Sequence, residues 1–152
     1  MRIFLKISEQ AQCSLAGRQT AFSGFLRRQG GRRAVRFFTF WDFGHGYLYG
    51  EHFAVDPSRR GGGTGTAVLD YIKGLGRPML LEIELPVEDD EMTFRRKLFY
   101  ERNGFILNPW HHVQPAYHDD SVPVEMHIMS WPYVFSKEEY ETFRADQAGI
   151  MP

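Results

Sequence analysis

Cysteine is nearly absent, with Cys13 standing alone in 152 residues. One thiol makes no internal disulfide, and no cysteine cluster is present to hold zinc. A reducing compartment is the default, and the expected location is cytoplasmic. No apolar run reaches the roughly 18 residues a membrane-crossing helix needs, and no secretory leader pattern is seen. Neither charge dominates, since 18 basic and 19 acidic residues leave a formal net charge of −1. General binders of nucleic acid or membrane surfaces carry a clear positive balance, so neither partner is expected. Internal repeats, linkers and low-complexity tracts are missing as well.

What is present is material for a core. Hydrophobic residues make up 43% and aromatics 15%, which disfavours disorder, and the length suits one domain over residues 1–152. "RIFLKI" reads as a short strand, whereas "RQTAFSGFLRR" sets Phe22, Phe25 and Leu26 at helical spacing. "RAVRFFTFWDF" and "GYLYGEHFAV" are aromatic and β-branched runs separated by Gly44-His45-Gly46, the pattern of an antiparallel hairpin. Val68, Leu69, Ile72 and Leu75 recur on one helical face, ended by Gly74 and Gly76. "PMLLEIELP" is a strand, "DDEMTFRRKLFYERNG" a helix stopped at Asn103-Gly104, and "FIL" a short strand. Residues 108–123 hold Pro109, Pro115 and Pro123 and read as an ordered loop. "VEMHIMSW" alternates like a strand, and Ser136 with Glu139 forms a capping box opening a last helix. A strand, helix and strand in succession imply one parallel pair within a mostly antiparallel sheet, a mixed α/β (α+β) fold.

Between the hairpin and the first of these helices lies "AVDPSRRGGGTGT", with four glycines in five positions behind two arginines. Free amides at a helix start favour an anion, and glycine lets a phosphate approach the backbone. The P-loop template fails because Gly65 is followed by Thr66-Ala67 and not by Lys-Ser/Thr. The dinucleotide template GxGxxG fails too, since its third glycine would be Thr66 or Val68. A plain turn with solvated arginines stays open on local sequence.

The spacing that does fit is Arg60-x-x-Gly63-x-Gly65, preceded by "HFAVDP". Farther on, "RRKLFYERNGFIL" has an aromatic-Tyr pair followed by Gly-Phe, with one strand between the two segments. Together, over Phe53 to Leu107, these resemble the acetyl-CoA-binding segments of the GNAT family of N-acetyltransferases. "NPWHHVQPAY" and "VEMHIMSWP" are similar to a bacterial subgroup of that family whose substrates are mostly undefined. The family's strand-helix-helix lead-in is shortened here, so that wall is reduced or built by a second copy in a homodimer.

The resemblance implies a GNAT fold with acetyl-CoA as co-substrate and an amine, small molecule or short peptide, as acceptor. It implies that the amides of Arg60, Gly61, Gly62, Gly63, Thr64 and Gly65 cradle the pyrophosphate, with Thr66 beside them and charge from Arg59 and Arg60. Phe53, Ala54 and Val55 would pair with the pantetheine arm. Tyr100 would donate to the departing thiolate, which a phenol with a pKa of about 10 can do. Strand alternation puts Glu82 and Glu84 on one face of "LLEIEL", two carboxylates suited to proton removal or to plain ion pairing. The family position ranks Glu82 first as base, then Glu84, then Glu51. His111, His112, His118 and His127 lack metal-ligand spacing, so no metal is expected; Tyr117 and His112 read as acceptor contacts in the loop. Cys13, far from these segments, argues against a covalent acetyl-cysteine route. Besides direct transfer in a ternary complex, a non-catalytic acyl-CoA-binding or regulatory module and an interaction domain using "FFTFW" remain as alternatives.

Overall fold

The computed structural model describes residues 3–6, 12–13, 20–28, 37–54, 64–116 and 122–150. It divides into two compact units, residues 1–79 and 80–152.

In the first unit, strands β1 (Ile3–Lys6), β2 (Gln12–Cys13), β3 (Thr20–Arg28), β4 (Phe37–Asp42) and β5 (Leu48–Ala54) precede helix α1 (Thr64–Lys73). β1 and β2 pair with β3, β3 with β4 and β4 with β5, every ladder antiparallel. The helix expected around Phe22, Phe25 and Leu26 is strand β3 instead. A short apolar window fits either period, Gly24 weakens a helix, and two flanking ladders decide the matter. The described residues of the lead-in are all in strands.

The hairpin β4–β5 forms as expected. Gly44 and Gly46 both take positive φ, 78° and 88°, a conformation that costs a side chain but not glycine. Its ladder jumps from Thr39↔His52 to Phe40↔Gly50, leaving Glu51 as the extra residue of a β-bulge. Trp41 Nε1 donates to Glu51 Oε2 at 2.5 Å. Phe40, Phe43, Tyr47, Leu48 and Tyr49 are buried, with Phe43 stacked on Tyr49. In α1, Val68, Leu69 and Ile72 are buried, while Leu75 lies past the helix end and is exposed.

The second unit begins within strand β6 (Met79–Glu84) and continues through α2 (Glu91–Arg102), β7 (Ile106–Leu107), β8 (His112–Gln114), β9 (Val124–Trp131) and α3 (Lys137–Ile150). β9 lies between β6 and β7 and also pairs with β8. The stretch 108–123 is therefore not wholly loop, because His112–Gln114 makes a ladder with Val124–Met126. Met79, Leu80, Leu81 and Ile83 are all buried, so β6 is covered on both faces. α2 starts at the cap Asp90, whose side chain accepts from Met92 N–H at 3.1 Å. α3 starts in the expected capping box, with Glu139 N–H donating to Ser136 Oγ and Ser136 N–H to Glu139 Oε2. Asn108 ties β7 to the segment before α3. Its amide donates to Ile106 O and Ser130 Oγ, and its oxygen accepts from Phe135 N–H.

One ion pair closes the first unit's hairpin. Arg77 donates to both Asp42 oxygens, at 2.6 and 2.9 Å, and Gly44 N–H donates to Asp42 Oδ1 at 2.9 Å. The Arg77 hydrogen bonds hold the Asp42 carboxyl below the usual carboxylate range, against the opposing effect of burial. The folded state thus favours the ionised form. Its contribution is present above about pH 4 and is lost as pH falls through the lower folded value. Arg77→Ala is expected to cost about 1 kcal/mol at neutral pH. Urea denaturation at several pH values should show that loss, together with a shallower decline of stability on the acid side.

Candidate active site

Tyr100 is set by the end of its own helix. Asn103 caps α2, Gly104 N–H donates to Glu101 O at 3.0 Å, and Phe105 N–H donates to Tyr100 O at 3.0 Å. These two bonds, with Gly104 at φ 84°, make a Schellman motif. Its apolar contact is the edge-on packing of Tyr100 and Phe105, with ring centroids 5.5 Å apart. The "YERNGF" segment is thus a device that stops the helix and buries Tyr100, which is 7% exposed. Phe99 packs against it, but Phe94 and Leu98 face solvent and are not its core neighbours. Burial pushes the Tyr100 phenol up to about 12, with Arg96 pulling weakly the other way. Among the described residues no hydrogen-bond partner is found for its hydroxyl. The phenol is therefore a firmly protonated donor without an acceptor among the described residues.

Arg96, whose charge acts on Tyr100, pairs with Glu84. It donates to Glu84 Oε2 at 3.1 Å, and both side chains are about half exposed. Arg95 pairs with Glu91 on the same helix at 2.8 Å.

Glu82 sits differently. Its side chain is only 4% exposed, and His112 Nε2 lies 2.6 Å from Oε2. Oε1 accepts from Gln147 Nε2 at 2.9 Å and from Gln114 Nε2 at 3.4 Å. His112 Nδ1 lies 2.9 Å from Tyr140 Oη, and that hydroxyl donates to His111 O at 3.0 Å. The two glutamates share a strand face, as alternation requires, but they serve separate surroundings. His112, read from sequence as an acceptor contact, is instead a core residue, 1% exposed and packed on Phe143. Its place on β8 rather than in a loop is the reason.

Tyr140, Gln114 and Gln147 are members of this cluster that sequence reasoning passed over. A signal existed for two of them: Tyr140, Phe143 and Gln147 share the buried stripe of α3, and a glutamine there needs a polar partner. Of the other histidines, His111 is exposed beside Glu125 at 2.9 Å, and His127 is held below its ordinary value by burial and by Lys97. Among the described residues no group of three His, Cys, Asp or Glu side chains is placed to hold a metal ion.

Of the residues expected to hold the cofactor, Phe53 and Ala54 end β5, and Thr64, Gly65 and Thr66 open α1. Gly65 is buried, and the first turn of α1 carries no acidic side chain to oppose an anion. Val55, Arg59, Arg60, Gly61, Gly62 and Gly63 lie outside the described residues, as do Tyr117 and His118. No helix among the described residues is long and apolar enough to cross a membrane.

Comparison with known proteins agrees with the fold. A family model for the acetyltransferase (GNAT) domain matches residues 22–107. A solved candidate acetyltransferase of the GNAT family from Bacteroides thetaiotaomicron is 31% identical. The match covers 90% of this chain and 74% of that one, with a TM-score of 0.72. An acetyltransferase of Bacillus subtilis, solved in complex with CoA, aligns over 88% of this chain and all of its own, with a TM-score of 0.54. Its 13% identity makes that likeness one of fold alone. YjbC of Bacillus subtilis (strain 168), a candidate acetyltransferase, is 29% identical over 83 residues. That match is 55% of this chain and 42% of YjbC, so the chain spans less than half of that relative's length.

Gly104→Ala tests the Schellman motif. A side chain in the left-handed region costs about 1–2 kcal/mol. The expected outcome is a lower thermal midpoint, with the near-ultraviolet signal of the Tyr100–Phe105 pair weakened in the folded state. An unchanged midpoint would mean that the helix end does not need glycine.

Proposed function

The chain belongs to the GNAT acetyltransferase family, and on that premise we propose that it transfers the acetyl group of acetyl-CoA to a primary amine, on a small molecule or short peptide, by direct attack in a ternary complex. The thioester supplies the activated acyl group. The observation that carries the reading is Tyr100, a buried phenol pushed up to about 12 whose hydroxyl has no acceptor among the described residues. Such a group holds its proton at neutral pH and delivers it to a thiolate as the carbon–sulfur bond breaks.

The remaining roles follow from position. The amides of Arg60 through Gly65 and the opening of α1 are assigned to the pyrophosphate, where a helix start without acidic residues suits an anion. Arg59 and Arg60 add charge, Thr66 flanks the cradle, and the edge of β5 at Phe53, Ala54 and Val55 takes the pantetheine arm. The Bacillus subtilis neighbour solved with CoA supports that ligand class. Of the two first-ranked carboxylates for the amine proton, Glu84 is the more open, about half exposed, while Glu82 is enclosed. Glu84, directly or through water, is therefore assigned that task. The lone cysteine favours a reducing, cytoplasmic setting.

Thermal shift and thiol release test the proposal together. Acetyl-CoA at saturating concentration is expected to raise the midpoint by several degrees, because it binds only the folded chain. A panel of primary amines, peptides and aminoglycosides is expected to include one that stimulates CoA release. Tyr100→Phe should then lower kcat about 100-fold with little change in KM. Stabilisation without release for any acceptor would leave a binding module and sink the enzymatic reading.

A further inference from the structure

The network around Glu82 poses a question of proton count that its geometry answers. The His111 carbonyl can only accept, and Tyr140 Oη lies 3.0 Å from it, which commits the tyrosine's single O–H. Tyr140 therefore meets His112 Nδ1, 2.9 Å away, with a lone pair, and Nδ1 must carry a hydrogen. On the other side, Glu82 Oε1 receives N–H groups from Gln147 and Gln114, and Oε2 faces His112 Nε2 at 2.6 Å. Two amide donors converging on Oε1 favour the charged form of the carboxyl. A lone negative charge at 4% exposure would be costly, whereas a carboxylate against an imidazolium is neutral as a pair.

Few other charges face the pair among the described residues. On α3, Tyr140 and Phe143 pack against His112, and the cation of Arg144 acts on Tyr140. On β8 the neighbour is the neutral Gln114, and on β9 Met126 sits opposite His112. His111 turns outward to Glu125.

We propose that His112 carries both ring protons as a standing imidazolium on Glu82, and that Glu82 is a positioning residue rather than the acceptor of a substrate proton. The pair joins β6 to β8 directly, and to α3 through Gln147 and Tyr140. It thereby fixes the segment running from Asn108 to Gln114. The kinetic side of this inference rests on the acetyl-transfer reading, whereas the protonation of His112 does not.

Long-range proton–nitrogen NMR of the labelled wild-type protein, with His112 assigned through its own backbone, tests the protonation directly. Both ring nitrogens are expected to carry a proton in the spectrum recorded at neutral pH. A bare Nε2 overturns the proposal. Glu82→Gln is expected to lower the thermal midpoint by about 10 °C. It should reduce kcat without moving the midpoint of the acid limb of the pH–rate profile, which Glu84→Gln should move. Loss of that limb in Glu82→Gln alone would make Glu82 the proton acceptor and end the positioning role. If Glu82→Gln does not fold, the wild-type spectrum still decides. If no amine is acetylated, the acetyl-transfer reading fails by itself and the spectrum still judges the pair.

Discussion

A carboxylate withdrawn from water costs several kcal/mol unless donors and an opposite charge meet it, and Glu82 sets that demand inside the second unit. The demand is met from two elements. β8 brings His112 and Gln114, and α3 brings Gln147, while Tyr140 of α3 secures the far side of the imidazole ring. Each partner constrains another, since the Tyr140 hydroxyl is oriented by the His111 carbonyl. Slippage of β8 by one residue would turn His112 to the opposite face and leave Glu82 without its imidazole partner. The register of a three-residue strand is thereby tied to a polar contact as well as to its ladder.

The same unit handles Glu84 and Tyr100 in the opposite way. Glu84 stays half in solvent with Arg96, and its pairing is of the kind that forms and breaks cheaply. Tyr100 is buried by the turn that ends its helix, with its hydroxyl left unclaimed by the described residues around it. A structural tyrosine in a core ordinarily finds an acceptor. Glu82 is thus met by donors on β8 and α3, whereas the Tyr100 hydroxyl meets none among the described residues.

Much of this was legible in local patterns. The hairpin around Gly44 and Gly46, the capping box at Ser136 and Glu139, and the helix stop at Asn103-Gly104 all depend on contacts within a few residues. Such contacts are written in adjacent letters. The strand Thr20–Arg28 is not, because helical and strand periods coincide over so short a window and the choice falls to partners on both sides. Leu75 was assigned to a helical face that ends before it, at Lys73. β8 was hidden among prolines, and its three residues become a strand only against β9.

By itself the sequence determined the family, the order of most elements and the two segments that resemble an acetyl-CoA site, since spacing along one chain carries all three. It also placed Glu82 and Glu84 on one strand face, a consequence of the two-residue period. What only the tertiary structure decided was which of them is enclosed and which is open. That difference arises from His112, 30 residues beyond Glu82, and Gln147, 65 residues beyond it. No local pattern encodes a hydrogen bond over such a separation, because it exists only once β8 and α3 have packed.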